Sequence, residues 1–467
     1  MNQTPARRTS IARAATRALA AVTLIICVAG TAAGSTTADL LHAGPMLGFS
    51  ELKTTSIWVQ TTRAATVQLR YFPADAPEQA RLTSARIPNV EDQFSLDFRL
   101  ADLEPGIRYK YELYIDGELI ERPYPLEFST QPLWQYRTDP PPFRVLIGSC
   151  TYFNEPVYDR PGKPYGSDHE IFDTMAREDA ALMVWMGDNL YTREVDFYSP
   201  EGLARRYKID RGQEVLQPFF AKMGHIATWD DHDYGPNNSD RYYPLKETSQ
   251  SLFETYWPAP AYGIPGAPGV YQHLTYNDIE FFLTDCRTYR MPPNWPEGRD
   301  KTYLGPQQMQ WLKASLLGSR APFKIIVGGS QMLNTAGRFE SMTNYETELD
   351  ELLDFIKDQG IQGVVFLSGD RHHTELLKLE REGFYPLYEF TSSPLTAGAR
   401  ERKKDDPEFN NPLRVDGTLY SGKHNYGVLE VTGPRTERVL TLKAMSMDGE
   451  TVWTHVIAAA DLKPPKK

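Results

Sequence analysis

The sequence predicts a layered α/β (α+β) domain preceded by a small antiparallel β-sandwich. Three observations predict it. Residues 39–130 read as short strands of period two separated by turn residues. From residue 143 onward, apolar strands alternate with helical stretches. After about residue 420 the chain returns to hairpin patterning. The Pro-rich stretch Asp139-Pro140-Pro141-Pro142 reads as a linker, so we place a β-sandwich domain at 35–135 and a larger domain at 140–467.

In chain order, the first strands are 56–60 and 66–71, then 109–115 closed by the turn Asp116-Gly117. The second pattern predicts strands at 143–147, 181–186, 225–229, 279–284, 324–327 and 363–367, with helices at 168–177, 306–317 and 345–359. The last hairpin pairs 439–442 with 452–456 across Asp448-Gly449-Glu450. A chain of 467 residues, 41% hydrophobic and with 35 prolines, is long enough for a sizeable core and many loops.

Residues 1–34 differ from the rest. Arg7, Arg8, Arg13 and Arg17 precede the apolar run 18–30, small residues follow, and no acid occurs before Asp39. That is the pattern of a removed secretory signal, and the run falls short of the roughly 20 apolar residues of a membrane span. A retained anchor is the competing reading. The pair Arg7-Arg8 points to twin-arginine export machinery. Cys27 lies within the run, behind bulky Ile26, and reads as ordinary filling. We therefore expect an exported protein, periplasmic or extracellular. The remaining cysteines, Cys150 and Cys286, exclude a disulfide scaffold and leave either one bridge or two free thiols. The net charge of −11 argues against a nucleic-acid coat.

The chemistry gathers at strand ends. Gly148-Ser149-Cys150, Gly187-Asp188-Asn189-Leu190-Tyr191, Trp229-Asp230-Asp231-His232-Asp233 and Ser368-Gly369-Asp370-Arg371-His372-His373 each follow an apolar strand. In layered α/β folds, ligands bind beyond the carboxyl ends of the strands. One such Asp alone is usually a cap, Tyr191 alone a packed ring, and Cys150 alone buried filler. Four clusters in this pattern point to a shared metal site. Asp370 and His372, spaced i and i+2, fall on one side of an extended backbone. Mixed O, N and S donors suit iron, zinc or manganese in one position and a harder cation in the other. Two metals about 4 Å apart clamp an in-line displacement at phosphorus and supply a hydroxide nucleophile.

These motifs resemble those of metallophosphoesterases. Gly187-Asp188-Asn189-Leu190-Tyr191 is similar to their GDxxY block, which in purple acid phosphatases supplies a bridging Asp and a Tyr to ferric iron. The fuller resemblance is to the alkaline phosphatase D (PhoD-like) family. It runs through Gly148 to Cys150, Gly187 to Tyr191, Trp229 to Asp233 with Asn237 and Asn238, and Gly369 to His372. It extends to Asp285-Cys286-Arg287 and to the LGxxQxxWL stretch 304–312. The resemblance implies a metallophosphoesterase-type β-sandwich core flanked by helices, behind that family's N-terminal domain. It implies Cys150 and Tyr191 as ligands to Fe3+ and Asp188 as the bridging carboxylate. Asp231, Asp370 and His372 complete the ligands, with Ca2+, or else Zn2+ or Mn2+, as the second cation. Asp231 stands where related enzymes use Asn. His232 matches a non-ligand histidine that stabilises charge or protonates the leaving group.

Arg193 is the candidate phosphate clamp, and Asn237, Asn238 and His373 are further candidates for substrate contact, with His424 as a pocket-lining residue. The chain departs from the pattern in Asp233, where Glu is common, and in asparagine spacing one residue longer than usual. Ser330-Gln331 gives no counterpart to the VxxH histidine of purple acid phosphatases. The expected function is an alkaline phosphatase acting as a monomer on small phosphate esters. Phosphodiesterase or phospholipase D-type activity at the same site is the alternative, and a non-catalytic cell-envelope binding protein the distant one.

Overall fold

The strands of this chain form where β-branched and aromatic residues alternate or run together, and its sheets pair as those patterns allow. The structure, a computed structural model, describes residues 37–465 apart from 168, 337 and 338. The expected signal at 1–34, with Arg7, Arg8 and Cys27, lies outside the described residues, as does Asp168 at the start of one expected helix.

The first part holds β1 (Leu41–Leu47), β2 (Thr55–Thr61), β3 (Val67–Pro73), β4 (Arg81–Leu82), β5 (Ser95–Leu100), β6 (Arg108–Ile115), β7 (Glu118–Ile120) and β8 (Glu127–Ser129). They make a three-stranded sheet, β1-β2-β5, and a second sheet, β4-β3-β6-β7, with β8 also on β6. Leu47, Ile57, Val59, Phe98, Leu69, Tyr111, Leu113 and Phe128 belong to one core that draws on both sheets. The β6–β7 turn pairs Ile115 with Glu118, and Asp116 and Gly117 both have positive φ, 48° and 83°. Two left-handed residues match the strand twist of a tight hairpin, which is why Asp-Gly stands there.

The rest comprises β9 (Phe143–Gly148), α1 (Glu170–Ala176), β10 (Leu182–Met186), α2 (Pro200–Arg211), α3 (Leu216–Lys222), β11 (Gly224–Thr228), α4 (Asp231–Tyr234), α5 (Lys246–Tyr256), β12 (Gln272–Tyr276) and β13 (Ile279–Leu283). It continues with α6 (Pro306–Gly318), β14 (Lys324–Val327), α7 (Glu346–Asp358), β15 (Val364–Ser368), β16 (His373–Leu379), β17 (Leu387–Thr391), β18 (Tyr420–Ser421), β19 (Asn425–Thr432), β20 (Val439–Ser446) and β21 (Thr451–Ala458). One sheet has the order β11-β10-β9-β19-β20-β21, the other β12-β13-β14-β15-β17-β16-β18. Within them β9, β10 and β11 run parallel, as do β13, β14, β15 and β17. Val145, Val184, Ile226 and Leu442 of the first sheet share one buried cluster with Phe281, Ile325, Val365 and Phe390 of the second. Leu312 and Leu316 of α6 and Leu352 and Ile356 of α7 join the same cluster. A second cluster joins Leu146, Met183, Trp185 and Ala227 to Phe172 of α1, Phe219 of α3 and Phe253 of α5.

The fold class is the one the sequence predicts. Four helices, α2, α3, α4 and α5, escape the sequence reading. In α2 the cause is visible: Arg206, Asp210 and Arg211 are buried beside Leu203 and Tyr207, so the buried face carries charge and loses its apolar signature. Arg206 is tolerated there because Asp196 at 2.8 Å and Asp210 at 3.3 Å neutralise it.

Candidate metal centre

The parallel strands β9, β10 and β11 release their chains at one edge, and β15 of the opposite sheet ends at the same place. Gly369 shows how close the two sheets come: a Cβ there would lie 2.5 Å from the Ser149 Cβ and 2.6 Å from the Met186 carbonyl. Gly369→Ala is therefore expected to cost about 1–3 kcal/mol by overpacking. An unchanged urea-unfolding midpoint would contradict that packing.

The residues that follow the strands turn abruptly. Cys150, Asp188, Asp370 and His372 all have left-handed backbones, with φ of 61°, 50°, 65° and 53°. Non-glycine residues pay for that conformation, and such positions cluster at sites where side-chain direction matters. It also corrects one expectation: Asp370 and His372 do not share a side through an extended backbone.

The donor atoms gather in two groups. Cys150, Asp188 and His372 bring ligand atoms within 4.8 Å of one another, and so do Asp188, Asp231 and His232. Asp188 belongs to both. Its Oδ2 lies 3.6 Å from the Cys150 Sγ and accepts from the Tyr191 hydroxyl at 3.0 Å, while its Oδ1 accepts from the His232 amide at 3.3 Å. The Tyr191 hydroxyl is also 3.1 Å from His372 Nε2. The rings of Tyr191 and His232 lie 4.1 Å apart. Among the described residues, the buried Asp231 Oδ1 and His232 Nδ1 have no hydrogen-bond partner. Two donor groups sharing one carboxylate, one with a thiol and an imidazole and the other with a second carboxylate and an imidazole, with a phenol beside them, fit a pair of cations. Asp370 stands at the margin of this set, its Oδ2 3.2 Å from Arg371.

Electrostatics agrees with the donor set. Burial, then the charge of Asp231, pushes the Asp188 carboxyl well above the usual range. Burial and Asp370 push the Cys150 thiol up to about 12. Burial and Asp188 raise the Tyr191 phenol. Asp231 goes the other way: against its burial, His232, Arg287 and the Asn238 amide at 2.6 Å hold it below the usual range. Multivalent cations held there would stabilise the ionised forms of all these groups at once.

Comparison with known proteins follows this geometry. Residues 147–436 match the family model described as PhoD-like phosphatase. The chain belongs to the PhoD-like phosphatase family. Residues 38–133 match a model described as a domain of unknown function, DUF7800. The chain is 23% identical over 371 residues to alkaline phosphatase D of Bacillus subtilis (strain 168), a match covering 64% of this chain and 60% of that relative's length. A solved structure of PhoD superposes with a TM-score of 0.72 at 17% identity, covering 90% of this chain and 91% of the other. Purple acid phosphatase PPD1 from yellow lupin (Lupinus luteus) seeds gives 0.64 at 13% identity, covering 89% of this chain and 74% of the other. At such identities the two structures speak to the fold.

In this PhoD-like chain, buried ion pairs hold the centre in place. Arg287 binds Asp230, the residue before Asp231, through Nε at 2.6 Å, and reaches Glu340 at 2.7 Å. Arg290 binds Glu340 from the other side at 2.6 Å. Asp230 also accepts from Ser330 at 3.0 Å and lies 3.1 Å from the Cys286 Sγ. Cys150 and Cys286 are both free thiols, which settles the disulfide alternative. Gln308 bonds the Asp285 amide and carbonyl, both at 2.8 Å, so the LGxxQxxWL stretch anchors the loop that carries Arg287.

Two substrate candidates lie elsewhere. The Arg193 guanidinium is taken up by Asp159 at 3.1 Å and by the carbonyls of Tyr191 and Phe153, and it stacks 4.1 Å over Tyr152. It supports the Tyr191 loop and does not reach into the centre. His373 points into a buried network instead, 3.1 Å from Glu375 and 3.0 Å from the Arg371 carbonyl. A histidine one residue along from a left-handed His372 takes the other side of the chain. Asn237 and Asn238 are exposed, and of the two it is the Asn238 amide that reaches Asp231. His424 Nε2 is 3.0 Å from the Ala397 carbonyl.

Sequence reasoning missed Ser393. Its hydroxyl donates to the Cys150 Sγ at 3.1 Å and accepts from the His372 amide at 3.0 Å. The signal was the same as elsewhere, since Ser392-Ser393-Pro394 follows the strand β17. Gly398 was missed too, and its carbonyl is 2.6 Å from His372 Nδ1, fixing the ring so that Nε2 faces the centre.

Proposed function

We propose that this chain hydrolyses phosphate esters at a two-cation centre held by Cys150, Asp188, Tyr191, Asp231, Asp370 and His372. The observation that carries the reading is the single carboxylate, Asp188, shared by two groups of donor atoms at the carboxyl edge of the parallel strands. In this reading Fe3+ sits on the side of Cys150 and Tyr191, and Ca2+, Zn2+ or Mn2+ on the side of Asp231. Bound there, the cations supply positive charge for phosphoryl oxygens and lower the pKa of a water nucleophile.

The chain's own residues do the rest. Ser393 and Gly398 orient Cys150 and His372 from behind. The Arg287 network fixes Asp230 and hence the first turn of α4, which carries Asp231 and His232. His232, whose ring lies beside Asp188 and Asp231 but outside the proposed ligand set, serves as a hydrogen-bond donor to charge developing on the leaving oxygen. The substrate is a small phosphate ester, and the protein works as an exported monomer, with 35–135 and 140–467 as its domains. No helix among the described residues is long and apolar enough to cross a membrane.

The test is hydrolysis of an aryl phosphate monoester and an aryl phosphate diester by the purified protein, before and after dialysis against a chelator. We expect turnover of at least one, loss on chelation, recovery with iron plus calcium, and a visible absorption band from the phenolate or thiolate. Metal-loaded protein that hydrolyses neither ester would overturn the reading. Full activity in an iron-free preparation would overturn the iron assignment alone.

A further inference from the structure

Tyr165 stands at the mouth of the centre on the loop between β9 and α1. It is 38% exposed, where Tyr191 beneath it is 3% exposed, so it lies on the solvent side of the ligands. Its ring centroid is 6.0 Å from Tyr191, 6.0 Å from His372 and 4.9 Å from Tyr152. These are ring contacts, and they do not consume the phenol hydroxyl.

The position is built rather than incidental. The Asn154 side chain both donates to the Gly166 carbonyl and accepts from its amide, each at 2.9 Å. The Ser167 amide donates to the Thr396 carbonyl at 2.8 Å. Gly166 admits the fold of the loop, since a Cβ there would lie 2.6 Å from the Tyr152 carbonyl. Gly398 makes room for the ring itself: a Cβ would lie 2.9 Å from Tyr165 Cε2. The same Gly398 holds His372 through its carbonyl. One glycine therefore sets both a candidate ligand and the aromatic above it.

We propose that Tyr165 touches the substrate, donating its hydroxyl hydrogen bond to a phosphoryl oxygen of the bound ester while its ring walls one side of the entrance. This rests on the phosphoesterase reading above. A phenol is protonated at neutral pH and donates readily to an anion.

The experiment compares Tyr165→Phe and Tyr165→Leu with the wild-type enzyme, reading kcat and KM on an aryl phosphate, inhibition by inorganic phosphate, and bound metal. Tyr165→Phe keeps the ring and removes only the hydroxyl. A hydrogen bond to a charged group predicts roughly a 10–100-fold loss of kcat/KM and a weaker inhibition by phosphate in the Phe variant, with metal content unchanged. A Phe variant that equals wild type while the Leu variant fails would overturn the inference, because the ring alone would then matter. Metal loss in the Phe variant would overturn it as well, placing the effect on Tyr191 and His372. Wild-type protein inactive on all phosphate esters would instead bring down the phosphoesterase reading, and this inference with it.

Discussion

Asp188→Asn is expected to abolish turnover and strip the proposed centre of its metals while leaving the fold intact. Asn keeps the shape of the side chain and removes the charge. Asp188 is the residue that both donor groups share, with Cys150 at 3.6 Å and Tyr191 at 3.0 Å on one oxygen and the His232 amide on the other. Removing an outer partner of a metal ligand costs about 10–100-fold in affinity or activity. Removing a shared ligand acts on both cations, so the loss exceeds that range. Circular dichroism should be unchanged, because the backbone at Asp188 already holds a left-handed φ of 50°, a conformation Asn accepts readily. Normal activity with normal metal content in this variant would contradict the proposed centre.

Arg287→Met carries the largest expected cost in stability. The guanidinium is fully buried and joins Asp230, Glu340 and the Ser239 carbonyl. Asp230 is held up to about 7 by burial even with Arg287 beside it. Removing the cation leaves the buried Asp230 without its ion-pair partner and Glu340 with Arg290 alone, which costs on the order of 3–5 kcal/mol. Urea unfolding measures it. Adding Asp230→Asn should recover part of the loss, since one unpaired charge then disappears. A cost below about 1 kcal/mol would show that Arg287 does not anchor the Asp230-Asp231 turn. Weaker binding of the second cation should accompany the loss of stability, because α4 begins at Asp231.

Strand ends were legible in the sequence because two signals coincide there. An apolar run of about five residues demands burial, and the Gly and Asp that follow demand a turn. Gly148, Gly187 and Gly369 follow that rule, and each leads into a residue of the site. What the sequence could not carry was the direction of side chains on loops. Arg193 sits two residues from Tyr191, yet its donors go to Asp159 and to backbone carbonyls. His372 and His373 are adjacent, yet one faces the centre and the other Glu375. Both outcomes depend on backbone angles that no local pattern specifies.

The supporting layer was legible only as unexplained motif residues. Asp285-Cys286-Arg287 and Gln308 stood out for their pattern, and folding turns them into the brace behind Asp230. Ser393, Gly398 and Tyr165 lacked even that. They lie on connections after β17 and β9 whose residues are common loop formers, and they gain meaning when the chain returns within reach of Cys150 and His372. The same holds for α2, whose buried arginines read as surface charge until Asp196 and Asp210 come to meet them.

Elemental analysis of the protein as purified tests the centre most directly. The two donor groups predict two metal ions per chain, one of them iron, with both lost in Asp188→Asn. Wild-type protein that carries no stoichiometric metal, yet hydrolyses a phosphate ester at full rate in the presence of a chelator, would contradict the account.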